Sequence, residues 1–249
     1  MKSLIAFDLD GTLAESKQPI DPEMAELLTR LLQRANAAII SVGDWPQFEA
    51  QLVSRLPRHA HLHRLFILPT TGTKLYRFDH GWRAVYVDAF SIEERRYILS
   101  SIERIVEESG LQEARIWGER IEDRGSQITF SGLGQLAPLA AKAGWDLDFA
   151  KRKRLQAALR AALPELSINI GGSTSVDITR QGVDKAYGMQ RLAEYSGIPF
   201  AAMLFFGDAI YPGGNDYPVR EAGIDTIAVR DVAETRTGLL AIVACMPLK

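Results

Sequence analysis

Near its start the chain carries the apolar run Leu4-Ile5-Ala6-Phe7, which breaks abruptly into Asp8-Leu9-Asp10-Gly11-Thr12. A run this short, bounded by acids and a glycine, reads as a buried strand with a loop at its carboxyl end. A strand that is apolar on both faces needs cover on both faces, and helices supply it in parallel sheets. The next stretches fit that demand. Asp21 and Pro22 read as an N-cap and first helical position, and Met24, Leu27, Leu28, Leu31 and Leu32 follow at helical spacing. Ala37–Ile40 reads as a second strand ending at Ser41, Gln47–Leu56 as a helix and Leu65–Leu68 as a third strand.

The rhythm then changes. Ser91 and Glu94 have the spacing of a capping box for a helix reaching about Glu108. Ala114–Trp117 and Gln127–Ser131 read as strands with no helix between them. A basic helix over Phe149–Leu163 and strands at Ser167–Ile170 and Ser175–Ile178 follow. The first rhythm returns with a helix at Lys185–Tyr195, strands at Met203–Phe206 and Thr226–Val229, and a helix at Glu234–Ala244. The expected organisation is an α/β protein: a discontinuous Rossmann-like parallel-sheet core over 1–80 and 182–249, with an α+β cap inserted over 81–181.

Composition narrows the function. The 249 residues are 47% hydrophobic and 24% charged with a net charge of −2, so no basic domain or stripe points to nucleic acid. Cys245 is the single cysteine, which leaves neither an internal disulfide nor a thiolate metal cluster. No stretch approaches a membrane span in length, and the expectation is a cytoplasmic protein with no membrane partner. Monomer and homodimer both stay open.

Two acidic clusters carry the chemistry. Asp8 and Asp10 sit at the carboxyl end of a strand, where parallel sheets bind ligands. A carboxylate there can attack phosphorus and form an acyl phosphate, and its neighbour can protonate the leaving oxygen. Asp-x-Asp-Gly also opens a calcium loop, but that loop needs further ligands where Ala14 stands, and its flank is not a strand. The second cluster, Gly207-Asp208 and Asn215-Asp216, again follows an apolar run. Mg²⁺ takes hard oxygen ligands and shares them with substrate phosphate. Asp8 and Asp208 are candidate ligands through their side chains, Asp10 through its carbonyl and Asp216 as a nearby contact. Lys185 at a helix start can neutralise phosphate, and Ser41 can donate a hydrogen bond to it; each residue type is also ordinary at such a position.

In that order, Asp8-Leu9-Asp10-Gly11-Thr12, Ser41, Lys185 and Gly207-Asp208…Asn215-Asp216 resemble the haloacid-dehalogenase superfamily of phosphotransferases. The resemblance implies a Rossmann-like core, Mg²⁺, Asp8 as nucleophile, Asp10 as general acid and base, and a cap of the C2B type. Gly207 to Tyr217 and Gly171 to Lys185 are similar to segments of the eukaryotic-type phosphomannomutases. Ile121-Glu122-Asp123-Arg124-Gly125 resembles the family's cap segment with a substrate-binding arginine, and the similarity implies substrate-binding roles for Arg124, Ser175, Asp177 and Asn215. It breaks where the family carries arginines and this chain has Gln135 and Lys142. Gln has no charge and Lys is a point charge, so a distal phosphate site looks weakened unless Lys142, Arg120, Arg180 or the Lys151–Arg154 run compensates. The expected function is a phosphatase of a small phosphorylated metabolite, a sugar phosphate, with a hexose-phosphate mutase as the alternative. A retired, non-catalytic scaffold would have lost Asp8, Asp10 or a metal acid, and all are present.

Overall fold

The computed structural model describes residues 2–247 apart from 112 and 114. The chain divides into two compact units, Met1–Val87 with Asp184–Lys249, and Asp88–Val183.

In the first unit the strands are β1 (Leu4–Asp8), β2 (Asn36–Ile40), β3 (Leu65–Leu68), β4 (Lys74–Phe78) and β5 (Trp82–Val87). They are interleaved with helices α1 (Pro22–Leu32) and α2 (Trp45–Gln51). The second unit follows, with α3 (Ile92–Ser109), β6 (Ile121–Asp123), β7 (Gln127–Ser131), α4 (Leu139–Trp145), α5 (Ala150–Ala162), β8 (Leu166–Ile170) and β9 (Ser175–Arg180). The chain then returns to the first unit through α6 (Lys185–Ser196), β10 (Met203–Gly207), α7 (Tyr217–Glu221), β11 (Asp225–Ala228) and α8 (Val232–Cys245).

The first unit is built on one seven-stranded sheet in the order β11-β10-β1-β2-β3-β4-β5. β1 pairs in parallel with β10 and with β2, and β10–β11 and β2–β3 are also parallel. β1 is buried throughout. Its side chains alternate, Ile5 and Phe7 joining the core that holds Leu28 and Leu239, Leu4 and Ala6 the core that holds Met189 and Leu192. Burying each such large side chain contributes about 1.5–3 kcal/mol. β1 lies between β2, reached through α1, and β10, reached through α6, and these two helices cover opposite faces, so the carboxyl end of β1 is the switch point where such sheets bind ligands.

The second unit carries a four-stranded antiparallel sheet, β6-β7-β9-β8. Ile128, Phe130, Val176 and Ile178 pack with Ile98 and Ile102 of α3 and Leu155 and Leu159 of α5. The opposite faces of β7 and β9 are polar, pairing Gln127 with Thr179, Thr129 with Asp177 and Ser131 with Ser175.

Several expectations are corrected. The insert does not begin at Gly81: β4 and β5 form an antiparallel hairpin that extends the large sheet, and the second unit starts at Asp88. The helix expected over Gln47–Leu56 starts at Trp45, capped by Asp44 with Pro46 in the first turn, and stops at Gln51. Arg115–Trp117 forms no strand, and Ala114 lies outside the described residues. The short α4 and α7 had no clear periodic signal. The capping box at Ser91 and Glu94 is formed. Among the described residues no helix is long and apolar enough to cross a membrane.

Candidate active site

Asp8 ends β1, almost fully buried. Lys185 opens α6, which Asp184 caps by accepting from the Tyr187 N–H at 2.9 Å. That cap sets the first turn so that the Lys185 ammonium reaches inward. Its Nζ lies 2.5 Å from Asp8 Oδ1 and 2.5 Å from Asp216 Oδ1, and it is 1% exposed. Asp216 is fully buried and also accepts from the Ala209 N–H at 3.0 Å. Asp216, expected from the sequence as a contact near the metal, also faces Lys185 directly.

Asp208 follows β10 and is exposed. Gly11 gives it room. A Cβ on Gly11 would stand 2.4 Å from an Asp208 carboxylate oxygen, and the φ of +86° there suits glycine alone. Asp8, Asp208 and Asp216 each offer a carboxylate oxygen within 4.8 Å of the others. Asp10 stands outside this trio. Its Oδ1 accepts from the Lys17 backbone N–H at 2.7 Å and from Gln51 Nε2 at 3.2 Å, and its Oδ2 from Gln47 Nε2 at 2.8 Å. Ser41 is buried one residue past the β2 partner of Asp8, and its Oγ accepts from the Gly43 N–H at 3.3 Å. Asn215 is exposed on the loop before α7.

The electrostatics of the trio are one-sided. Burial pushes the Asp8 carboxyl up to about 6; Lys185 pulls it back only in part, and Asp216 adds repulsion. Burial and repulsion from Asp216 also raise Asp208. Burial alone would lower Lys185, but the two carboxylates outweigh it and hold the ammonium charged. Three carboxylates, Asp8, Asp208 and Asp216, thus share the field of one cation, with Asp10 adding its charge beside Asp208. Hard oxygens with uncompensated negative charge are what a small divalent cation needs. The donor set fits a magnesium-sized ion.

The substrate-binding candidates Arg124, Lys142, Ser175 and Asp177 lie in the second unit. Ser175 and Asp177 share the polar face of β9. Thr129 Oγ1 donates to Asp177 Oδ1 at 2.6 Å, and Gln127 Nε2 donates to Thr129 Oγ1 at 3.1 Å. Burial raises the Asp177 carboxyl, and the Thr129 hydrogen bond opposes that rise. Arg124 pairs with Glu122 at 2.8 Å. Lys142, on α4, donates to the Gln135 carbonyl at 3.3 Å. Four of the cations considered as replacements for arginine, Arg180, Arg152, Lys151 and Arg120, are already engaged. Arg180 binds the carbonyls of Asp88 and Ala89 and the carboxylate of Glu94. Arg152 is buried against Asp146, Lys151 pairs with Glu113, and Arg120 donates to the Leu111 carbonyl.

Gln47, Gln51, Gln127 and Thr129 escaped the sequence reading. Gln47 and Gln51 stand four residues apart on a helix, a shared face that was legible, but their target lies 37 and 41 residues away.

A probable phosphomannomutase of Caenorhabditis elegans is 27% identical over 88% of this chain and 86% of its own. The phosphomannomutase of Schizosaccharomyces pombe is 28% identical over 88% and 85%. Among solved structures, a haloacid dehalogenase-like hydrolase of Bacteroides thetaiotaomicron superposes with a TM-score of 0.69 at 17% identity, covering 97% of this chain and 100% of that one. An N-terminally truncated IMP-nucleotidase of Plasmodium falciparum gives 0.68 at 16%, covering 97% and 70%. These two likenesses establish a haloacid-dehalogenase-like fold. Residues 24–235 match the family model of the eukaryotic phosphomannomutases, and the chain belongs to that family.

Proposed function

We propose that this chain moves a phosphoryl group between oxygens of a phosphorylated hexose, as a phosphomannomutase-type mutase working through a phosphorylated Asp8. The observation that carries the reading is the pairing of Asp8, at the switch point of the sheet, with a fully buried Lys185 inside an acidic trio. The family match favours the mutase over the phosphatase expected from the sequence.

Asp8 attacks the phosphorus of the substrate phosphate. The bond from phosphorus to the sugar oxygen breaks as the Asp8 acyl phosphate forms, and Asp10 gives its proton to the departing oxygen. In the second half-reaction a different sugar hydroxyl attacks the acyl phosphate, Asp10 takes the hydroxyl proton, and the bond from phosphorus to Asp8 breaks to release the carboxylate. Lys185 holds the Asp8 oxygen that is not attacking and carries positive charge beside the phosphoryl oxygens. Ser41 would donate a hydrogen bond to the same group. Mg²⁺ would be held by Asp8, Asp208 and the Asp10 carbonyl, with Asp216 beside it, and when bound it neutralises phosphoryl oxygens. By the family resemblance Arg124, Lys142, Ser175, Asp177 and Asn215 would be the substrate-binding residues.

One observation favours the phosphatase as a second reading. Gln135 is neutral, and Arg180, Arg152 and Lys151 are spent on internal carboxylates and carbonyls, so a distal phosphate finds few uncommitted guanidinium forks. Water would then attack the acyl phosphate. The test is incubation with mannose 1-phosphate and Mg²⁺, with and without a hexose bisphosphate, following isomerisation and phosphate release together, with Asp8→Asn as the blank. Isomerisation stimulated by the bisphosphate establishes the mutase. Phosphate release alone establishes the phosphatase. Neither, with every hexose phosphate tried, removes the substrate class.

A further inference from the structure

The Asp10 carboxylate is held by donors that no part of the reading above uses. Gln47 and Gln51 lie one turn apart on α2, so their carboxamides rise from the same face. Gln47 Nε2 donates to one Asp10 oxygen at 2.8 Å and Gln51 Nε2 to the other at 3.2 Å. Each carboxamide has a second contact, although Gln51 Oε1 accepts no hydrogen bond. Gln51 is buried and uses its second Nε2 hydrogen on the Gln18 carbonyl at 2.7 Å. Gln47 Oε1 lies against the backbone of Gly43, where a Cβ would stand 2.0 Å away, so the glycine leaves the space that this side chain fills. The helix start is fixed too: Asp44 accepts from the Trp45 N–H at 2.7 Å and from the buried Lys74 ammonium at 2.6 Å. A third donor, the backbone N–H of Lys17, reaches Asp10 from a residue in left-handed backbone at φ 59°.

We propose that Gln47 and Gln51 are positioning residues for Asp10: they fix the plane of its carboxylate so that one oxygen meets the leaving sugar oxygen. The proposal rests on the phosphoryl-transfer reading. A carboxylate free to turn about its last torsion spends most of its time misaligned, and alignment is a large part of what a catalytic group contributes. A well-placed general acid is worth roughly 10²–10⁴ in rate, so losing one of its two side-chain anchors should cost about tenfold or more in the step that needs the proton. A leaving group that departs without a proton should be indifferent to the change.

The experiment is a single-turnover comparison with enzyme in excess and Mg²⁺ present, on two phosphoryl donors. Mannose 1-phosphate expels an alkoxide that must be protonated; p-nitrophenyl phosphate expels a phenolate that need not be. The variants are Gln47→Met, which is half-exposed and tolerant, and Gln51→Met; if the buried Gln51 variant fails to fold, Gln47→Met alone carries the test. The expected result is at least a tenfold slower first turnover of the sugar phosphate, with p-nitrophenolate release within twofold of wild type. An equal loss on both donors assigns the glutamines a merely structural role and overturns the proposal, as does any other pattern, including no loss at all. If the wild type phosphorylates Asp8 with neither donor, the underlying reading fails first and takes this proposal with it.

Discussion

Lys185 Nζ and Asp8 Oδ1 lie 2.5 Å apart in an environment that exposes neither. The same ammonium meets Asp216, so one buried cation holds two buried anions. Removing one partner of such a group typically costs about 3–5 kcal/mol, because the charge left behind stays buried and unpaired. Lys185→Met should therefore lower the urea midpoint of the protein markedly, besides abolishing phosphoryl transfer. Asp216→Asn should cost less, since its amide still faces Lys185 and Asp8 still neutralises it. A Lys185→Met variant as stable as wild type would mean that solvent or an ion already screens the two carboxylates.

The acidic trio makes a separate prediction that does not need turnover. A ligand that binds only the folded state stabilises it by about 2.7 kcal/mol at a hundred times its dissociation constant. Mg²⁺ should raise the melting temperature, and EDTA should remove the rise. Asp208 is exposed and makes no buried pair, so Asp208→Ala should leave the metal-free melting temperature nearly unchanged while erasing the Mg²⁺ shift. An unaltered shift in Asp208→Ala would exclude this carboxylate as a ligand.

The outline of the site was legible because its parts sit at strand ends. Leu4–Phe7 and Met203–Phe206 announce themselves as buried runs, and the acids that follow them must emerge at the same edge of a parallel sheet. The Asp10 clamp was not legible, because nothing local links Gln47 to Asp10; only the packing of α2 beside the first loop brings them together. The β4–β5 hairpin was lost for a different reason. Trp82–Val87 is strand-like in sequence, but the strand is mostly exposed and nothing local says which sheet it joins. In the second unit the residue types were readable but their commitments were not. Arg180 and Arg152 look like available cations in sequence, and the fold spends both on internal partners.

The second unit holds a buried ion pair whose pH response has a definite sign. Asp146 is buried, and Arg152 Nε reaches one of its oxygens at 2.7 Å, with the backbone N–H groups of Lys151 and Arg152 adding hydrogen bonds. Burial alone would raise the carboxyl, but these bonds outweigh it and the pKa is lowered. A lowered folded-state pKa gives stability that is fully present above the unfolded value, about 3.9, and is lost as pH falls through the folded value. Asp146→Ala should cost about 3 kcal/mol at neutral pH. The gap between variant and wild type should hold down to pH 4 and close only below it, as read from urea unfolding at each pH. A gap that closes near pH 6 would contradict the direction of the shift.

Thr71, just past β3, adopts φ 60° and ψ 29°, in the left-handed region. A β-branched residue there is strained, at a cost of roughly 1–3 kcal/mol for a backbone held in so sparsely populated a region. Asparagine tolerates this conformation far better, because its Cβ is unbranched and its short polar side chain can bond locally. Thr71→Asn should raise the urea midpoint, by a stability gain of about 1 kcal/mol, the lower end of the stored strain. Its neighbour supplies the control. Thr70 also has a positive φ, 48°, but its hydroxyl is buried and bound to Thr73 Oγ1 at 2.6 Å. Thr70→Asn would relieve strain while breaking that hydrogen bond, so it should gain nothing. Equal midpoints for wild type and Thr71→Asn would mean that the surrounding turn over-determines the backbone and stores no recoverable strain at this position.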